Sequence, residues 1–442
     1  MMPTLHRHGW YLLAFLVAVV MSAPLPAAAD GSVLHARLEA SVPAAGDTLD
    51  APLDTVRLQF SAAVTASLTR LLVTGPQGDT VVLAAAADAG DRRVIVAPLP
   101  ALGAGAHVLH WRTTSSDGHV LEGTIPFVVG PGAAVVAPAS GPAPADAAAV
   151  SAAPIDSRTA AALDVAVPVP APGTAAETPP LLPLLRALGT ALLLALAGGL
   201  LFATRDAVAS DALRPVLRVI AIAAPLVVVA EFVVWTTHVA GAFDAGASLQ
   251  LMTGQALFAR IGFAVLAAAT LFAFRSLRGA AFLAFMAVLA GGSLGHATAV
   301  VPAVSIPLRA VHMAAAAVWL GGLIALGLAL HNAPARHSLL RAVSSAALVS
   351  FVVVAVTGAG QALLLLGSLG AFVQTSYGRL VLVKATGLLL LAAFGYLHRR
   401  MIALVPEGGD ARALGRSVVV ETLVFIALIL VSGALAFAQL PE

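Results

Sequence analysis

Eight apolar stretches follow Pro180, at 181–204, 217–240, 255–274, 279–298, 307–331, 342–367, 380–397 and 417–438. Each approaches or exceeds the ~20 residues that a helix needs to cross a bilayer. With 60% of residues hydrophobic and only 10% charged, the chain cannot cover a surface with charge as a soluble protein does. The expectation is an all-α polytopic membrane domain of about eight transmembrane helices over 181–442. Arginine sets its orientation. Eleven arginines, from Arg205 to Arg416, lie in or beside the first, third, fifth and seventh connections, against Arg379 alone in the others. That bias puts the odd connections in the cytoplasm and both the preceding region and the C-terminus outside.

The preceding region is different. Residues 1–29 read as a signal peptide, with Arg7 ahead of an apolar run from Trp10 to Met21 and small residues Ala27 to Ala29 before Asp30. Over 30–130, short alternating runs (56–60, 71–74, 80–83, 94–97, 107–111 and 125–129) are separated by turn residues such as Gly75 to Gly78 and Asp117-Gly118. This spacing predicts an all-β, Ig-like sandwich. Residues 131–180, rich in Ala and Pro, predict a semi-flexible linker. The organisation expected is a bacterial inner-membrane protein with its N-terminal domain in the periplasm.

Several chemistries are excluded. The chain has no cysteine, which removes thiolate metal sites, iron–sulfur clusters and disulfides. A net charge of +2 without blocks of like charge argues against nucleic acid as a partner. No phosphate-binding loop is present, so this chain does not drive transport with ATP.

Histidine is then the main candidate ligand. His238, His296 and His312 all fall near the outer ends of their spans, and ionisable groups inside a membrane usually face a cavity, a partner or a substrate path. His331, His337 and His398 fall at cytoplasmic ends and read as interfacial residues beside arginines. Met313 adjoins His312 and would suit Cu(I), although it points about 100° away on a helix and thioethers commonly fill cores. Glu231 lies about 10 Å deeper than His238 on the same face. It reads either as a step on a pathway or as the partner of Lys384 or Arg260. Glu421 reads as paired with Arg416 or another interfacial charge. In the sandwich, Asp117-Gly118-His119 can turn two ligands toward one ion. His107 and His110, three apart on one strand, project to opposite faces.

These residues have a family likeness. His35-Ala36-Arg37-Leu38, Ser41-Val42-Pro43, Leu58-Gln59-Phe60-Ser61, Gly105 to Arg112 and Ser115 to His119 resemble the periplasmic CopC family. Gly295-His296-Ala297, His312 with Trp319 to Gly322, Thr357-Gly358, and Ser376 to Arg379 with Lys384 resemble its membrane partner CopD. The resemblance implies a fused CopC–CopD protein whose sandwich holds Cu(II) at His35, Asp117 and His119, imidazole and carboxylate ligands that suit this ion. Three departures are visible. Cleavage after Ala29 leaves five residues before His35 and removes its amine as a ligand; Ala62 stands where relatives often carry an acid; and no methionine occurs between Met21 and Met252, so a Met-rich Cu(I) site is absent.

The expected function is capture of periplasmic Cu(II) and its import through the helices, as Cu(I) or Cu(II). Copper chaperones on either side are the partners this implies, and no enzymatic activity is expected. Two alternatives stand beside it. One is a membrane cupric reductase carrying haem b on histidines from different helices. The other is a hand-over protein without transport.

Overall fold

A computed structural model describes residues 36–115, 118–132, 174–175, 177–295, 301–332, 337–404 and 411–438. The chain divides into two compact units that meet in sequence at Glu177–Thr178.

The first unit is a β-sandwich. One sheet has the order β1 (Leu38–Val42), β3 (Thr55–Phe60), β7 (Val94–Pro98), β6 (Ala86–Ala87). The other runs β10 (Thr174–Ala175), β9 (Val120–Val129), β8 (Gly105–Thr114), β4 (Arg70–Thr74), β5 (Thr80–Leu83), with β2 (Thr48–Leu49) parallel to β9. All six predicted strands are present. Strict alternation drives them: every second residue of β9 from Leu121 to Val129 is buried, as expected when one face packs on a core. Val56, Leu58 and Phe60 meet Leu109, Trp111, Ile125 and Phe127 between the sheets, and Phe60 packs edge-on to Trp111 at 5.5 Å. The short strand β10 falls within the region expected to be linker and pairs with Leu121 and Glu122.

The second unit is helical, consisting of α1 (Leu181–Ala203), α2 (Ala207–Ala240), α3 (Ala245–Ser248), α4 (Met252–Phe272), α5 (Leu277–Ala290), α6 (Pro302–Asn332), α7 (His337–Leu366), α8 (Ala371–Gln374), α9 (Ser376–Leu404) and α10 (Arg412–Leu435). Seven of these are long and apolar enough to cross a membrane, which makes this a multi-pass membrane protein. The expected fourth span is the short one. Helix α5 has 14 residues and passes into a 3-10 turn at Gly291–Ser293, about 21 Å of α-helix against a ~30 Å hydrocarbon layer. Two glycines in succession, followed by Gly295 at φ +63°, end it early. Helices α1 and α6 are the most buried spans. They cross where Gly198 meets Gly321, and a Cβ on either would overlap the backbone of the other helix. The glycine patch at 321–322 is thus a close helix contact.

Candidate metal centre

Of the sandwich ligands that the resemblance implies, His119 is described, and it lies at one end of the first unit. The hairpin β8–β9 pairs through Thr114↔Val120. It then closes with Ser115 N–H donating to the His119 carbonyl at 2.9 Å and Gly118 N–H donating to the Ser115 carbonyl at 2.9 Å. Gly118 at φ +89° makes that turn possible. The start of β1 is tied to the same end. Arg37 N–H donates to Ser61 Oγ at 3.0 Å and Ser61 N–H to the Arg37 carbonyl at 2.9 Å, while Val64 bridges Ser115. His119 is half-buried and both its ring nitrogens are shielded from solvent. His35 and Asp117 lie outside the described residues. Ala36, which follows His35, and Ser115, two residues before Asp117, are both buried. An enclosed imidazole at this end fits Cu(II), which takes imidazole and carboxylate ligands.

The other sandwich histidines are accounted for. His107 is 2% exposed, its Nε2 lies 2.8 Å from the Gly103 carbonyl, and its ring stacks on Phe127. His110 is exposed on the opposite face.

In the helical unit, His238 ends α2 half-buried and His296 lies outside the described residues. His312, on α6, is held toward α7. Thr357 Oγ1 donates to the Val353 carbonyl and lies 2.9 Å from His312 Nδ1. A hydroxyl has one hydrogen, so with it committed to Val353 the threonine accepts from Nδ1–H. The network thereby assigns the tautomer with Nε2 bare, the arrangement in which a metal-binding histidine is oriented by its other nitrogen. Among the described residues, no three His, Asp or Glu side chains gather to hold a metal ion.

Glu231 is fully buried on α2, paired to Arg186 Nε of α1 and 3.5 Å from Arg260 Nη1 of α4. Of the partners expected for it, Arg260 is found, and Arg186 was not anticipated. Met313 is buried in the apolar core, its thioether end against Gly291.

Two expectations are corrected. His398 is not interfacial but 6% exposed, with Nε2 2.8 Å from Ser417 Oγ and Nδ1 2.9 Å from Glu421 Oε2. Glu421 therefore pairs with His398, and with Trp319, whose Nε1–H donates to Oε1 at 3.3 Å. Arg416 lies five residues earlier, about 140° around the helix, a mismatch the spacing already contained.

An Ig-like sandwich joined to a multi-pass helical unit defines the class of molecule. Residues 38–130 match the CopC domain and residues 337–435 match Copper resistance protein D, CopD. The chain belongs to these copper-handling families, with both domains in one polypeptide. CopC from Methylosinus trichosporium OB3b is similar at 30% identity, covering 23% of this chain and 100% of that one, with a TM-score of 0.22. PcoC, a methionine-rich copper resistance protein from Escherichia coli, is similar at 31% identity, covering 22% of this chain and 98% of that one, with a TM-score of 0.19. No curated protein matches the chain.

Proposed function

We propose that the protein captures Cu(II) in the periplasm and passes copper through its helical unit into the cell. The observation that carries this is the union of a CopC and a CopD domain in one chain, so that a capture module is tethered to a membrane module. The sandwich binds Cu(II) at His35, Asp117 and His119. The tether raises the effective copper concentration at the membrane module, where His238, His296 and His312 accept the ion. The bare Nε2 assigned to His312 supports its part. Met313 and Glu231 come next on the path, Glu231 only by releasing Arg186 or Arg260. The arginine bias supports an inner-membrane location with the sandwich and C-terminus outside. Copper chaperones would deliver or receive the ion.

The test is copper content of periplasm and cytoplasm, with and without the protein, under limiting copper. A cytoplasmic rise that is lost in a His296→Ala, His312→Ala double variant is expected. A rise confined to the periplasm, or none, overturns import. A Soret band in the purified protein would then identify the haem reductase, and its absence the hand-over protein.

A further inference from the structure

Four cations lie within reach of one another in the helical unit, and two of them share a single carboxylate. Arg186 and Arg260 both address Glu231. Arg309 of α6 lies within electrostatic reach of both arginines, and Lys384 of α9 within reach of Arg309. Arg309 stands about one turn before His312 on α6, and Lys384 lies within electrostatic reach of the same histidine. Among the described residues, no carboxylate forms an ion pair with Arg309 or Lys384. Uncompensated charge is costly in a membrane bundle.

Two donors of the cluster have no acceptor among the described residues. Arg186 and Arg260 side chains are 5% and 0% exposed, yet Arg186 Nη2 and Arg260 Nε are shut off from solvent without a hydrogen-bond partner. Three other donors are used: Arg186 Nε and Arg260 Nη1 on Glu231, and Arg260 Nη2 on Thr190 Oγ1 at 3.3 Å. Unmade buried hydrogen bonds from charged groups are among the more expensive defects a fold can carry. Guanidinium forks match oxyanions in both charge and geometry. Arg309 and Lys384, half-buried, leave the cluster approachable.

We infer that Arg186, Arg260, Arg309 and Lys384 form a binding site for an oxyanion, a phosphate or carboxylate group, beside His312. It does not depend on the copper reading, although it bears on it. Two cations within electrostatic reach of His312 repel a bare copper ion from it, and an oxyanion seated among them removes that repulsion. Two sources share this chemistry, the phosphate of a membrane lipid and a small anion from solution.

The experiment uses the full chain, purified in phosphate-free detergent. Native mass spectrometry reads phospholipid retained through detergent exchange. Melting temperature in inorganic phosphate or citrate, against chloride at equal ionic strength, reads a small anion. Retained lipid assigns the lipid source, and a rise specific to phosphate or citrate assigns the soluble one. In either case an Arg309→Gln, Lys384→Gln variant should lose about tenfold in occupancy or affinity, while Arg309→Lys, Lys384→Arg keeps most of it. Absence of both signals in the wild type overturns the site, as does undiminished binding in the neutral variant. If the neutral variant does not fold, the wild-type comparison of phosphate and citrate with chloride, together with lipid retention, still decides.

Discussion

The helical unit buries two carboxylates, Glu231 at 0% exposure and Glu421 at 1%, and gives them opposite surroundings. Glu421 accepts from an indole N–H at Oε1, while Oε2 lies 2.9 Å from His398 Nδ1 without hydrogen-bond alignment, and the second histidine nitrogen rests on Ser417. Glu231 is met by two guanidiniums, each within electrostatic reach of Arg309. Burial of an acid therefore says little by itself about function. The count of charges around it separates a self-contained polar contact from a cluster that calls for a further anion.

Removing the charge of Glu231 is the largest test of that difference. In Glu231→Gln the amide oxygen can accept from one arginine, but its NH2 then faces the other, and the two arginines lose the carboxylate they share. A loss of about 3–5 kcal/mol is expected, read as failure to purify a folded protein or as a large drop in melting temperature. Near-neutral behaviour would mean that the cluster already holds its counter-ion elsewhere. Next comes Thr357→Val, which keeps the shape beside His312 but removes the acceptor that fixes its tautomer. Copper affinity of the helical unit should fall by about tenfold, with a stability loss of about 1–3 kcal/mol because Nδ1–H is left without its acceptor. An unchanged affinity would remove His312 from the copper path.

Much of the architecture was legible. Alternation located β3, β4, β5, β7, β8 and β9, because a strand packed on one face writes its burial directly into the chain. The apolar stretches located the long helices. What could not be read were contacts that depend on rotation about a helix axis and on which helices become neighbours. Arg186 and Glu231 are 45 residues apart, and nothing local says that α1 presents Arg186 to α2. Depth was misjudged for His398, because α9 continues to Leu404, beyond the predicted end at 397. Those seven further residues, about two turns, keep the ring within the helix and among α10 side chains instead of leaving it at the interface. The short α5 is a different failure, since apolar composition runs on through Gly291-Gly292 although the helix does not. For the site itself, residue types and order pointed to His119 and His312, while the tautomer at His312 needed Thr357 across the interface.

Glu421→Gln should be milder than Glu231→Gln, at about 1 kcal/mol. The glutamine oxygen still accepts from Trp319. His398 can exchange tautomers, so that Nδ1 accepts from the new NH2 while Nε2–H donates to Ser417. No cation is left behind. A loss as large as that of Glu231→Gln would show that His398 is charged in the folded protein and would abolish the contrast between the two sites.

The smallest effect belongs to Trp319→Phe. The indole packs edge-on to Phe351 at 6.0 Å and to Phe425 at 5.3 Å, and phenylalanine keeps much of that apolar contact. What is lost is one N–H donor to Glu421 Oε1, worth about 0.5–1.5 kcal/mol. Combining it with Glu421→Gln makes a double-mutant cycle. If the polar contact is self-contained, the two losses should couple by about 0.5 kcal/mol or more, because residues in direct contact are not additive. The corresponding cycle of Glu231→Gln with Arg260→Gln should couple far more strongly, since the second substitution relieves the surplus charge that the first exposes. Denaturation midpoints of the six variants decide it. Equal coupling in the two cycles would mean that the charge surplus around Glu231 is compensated within the protein, and with it the need for an outside anion would vanish.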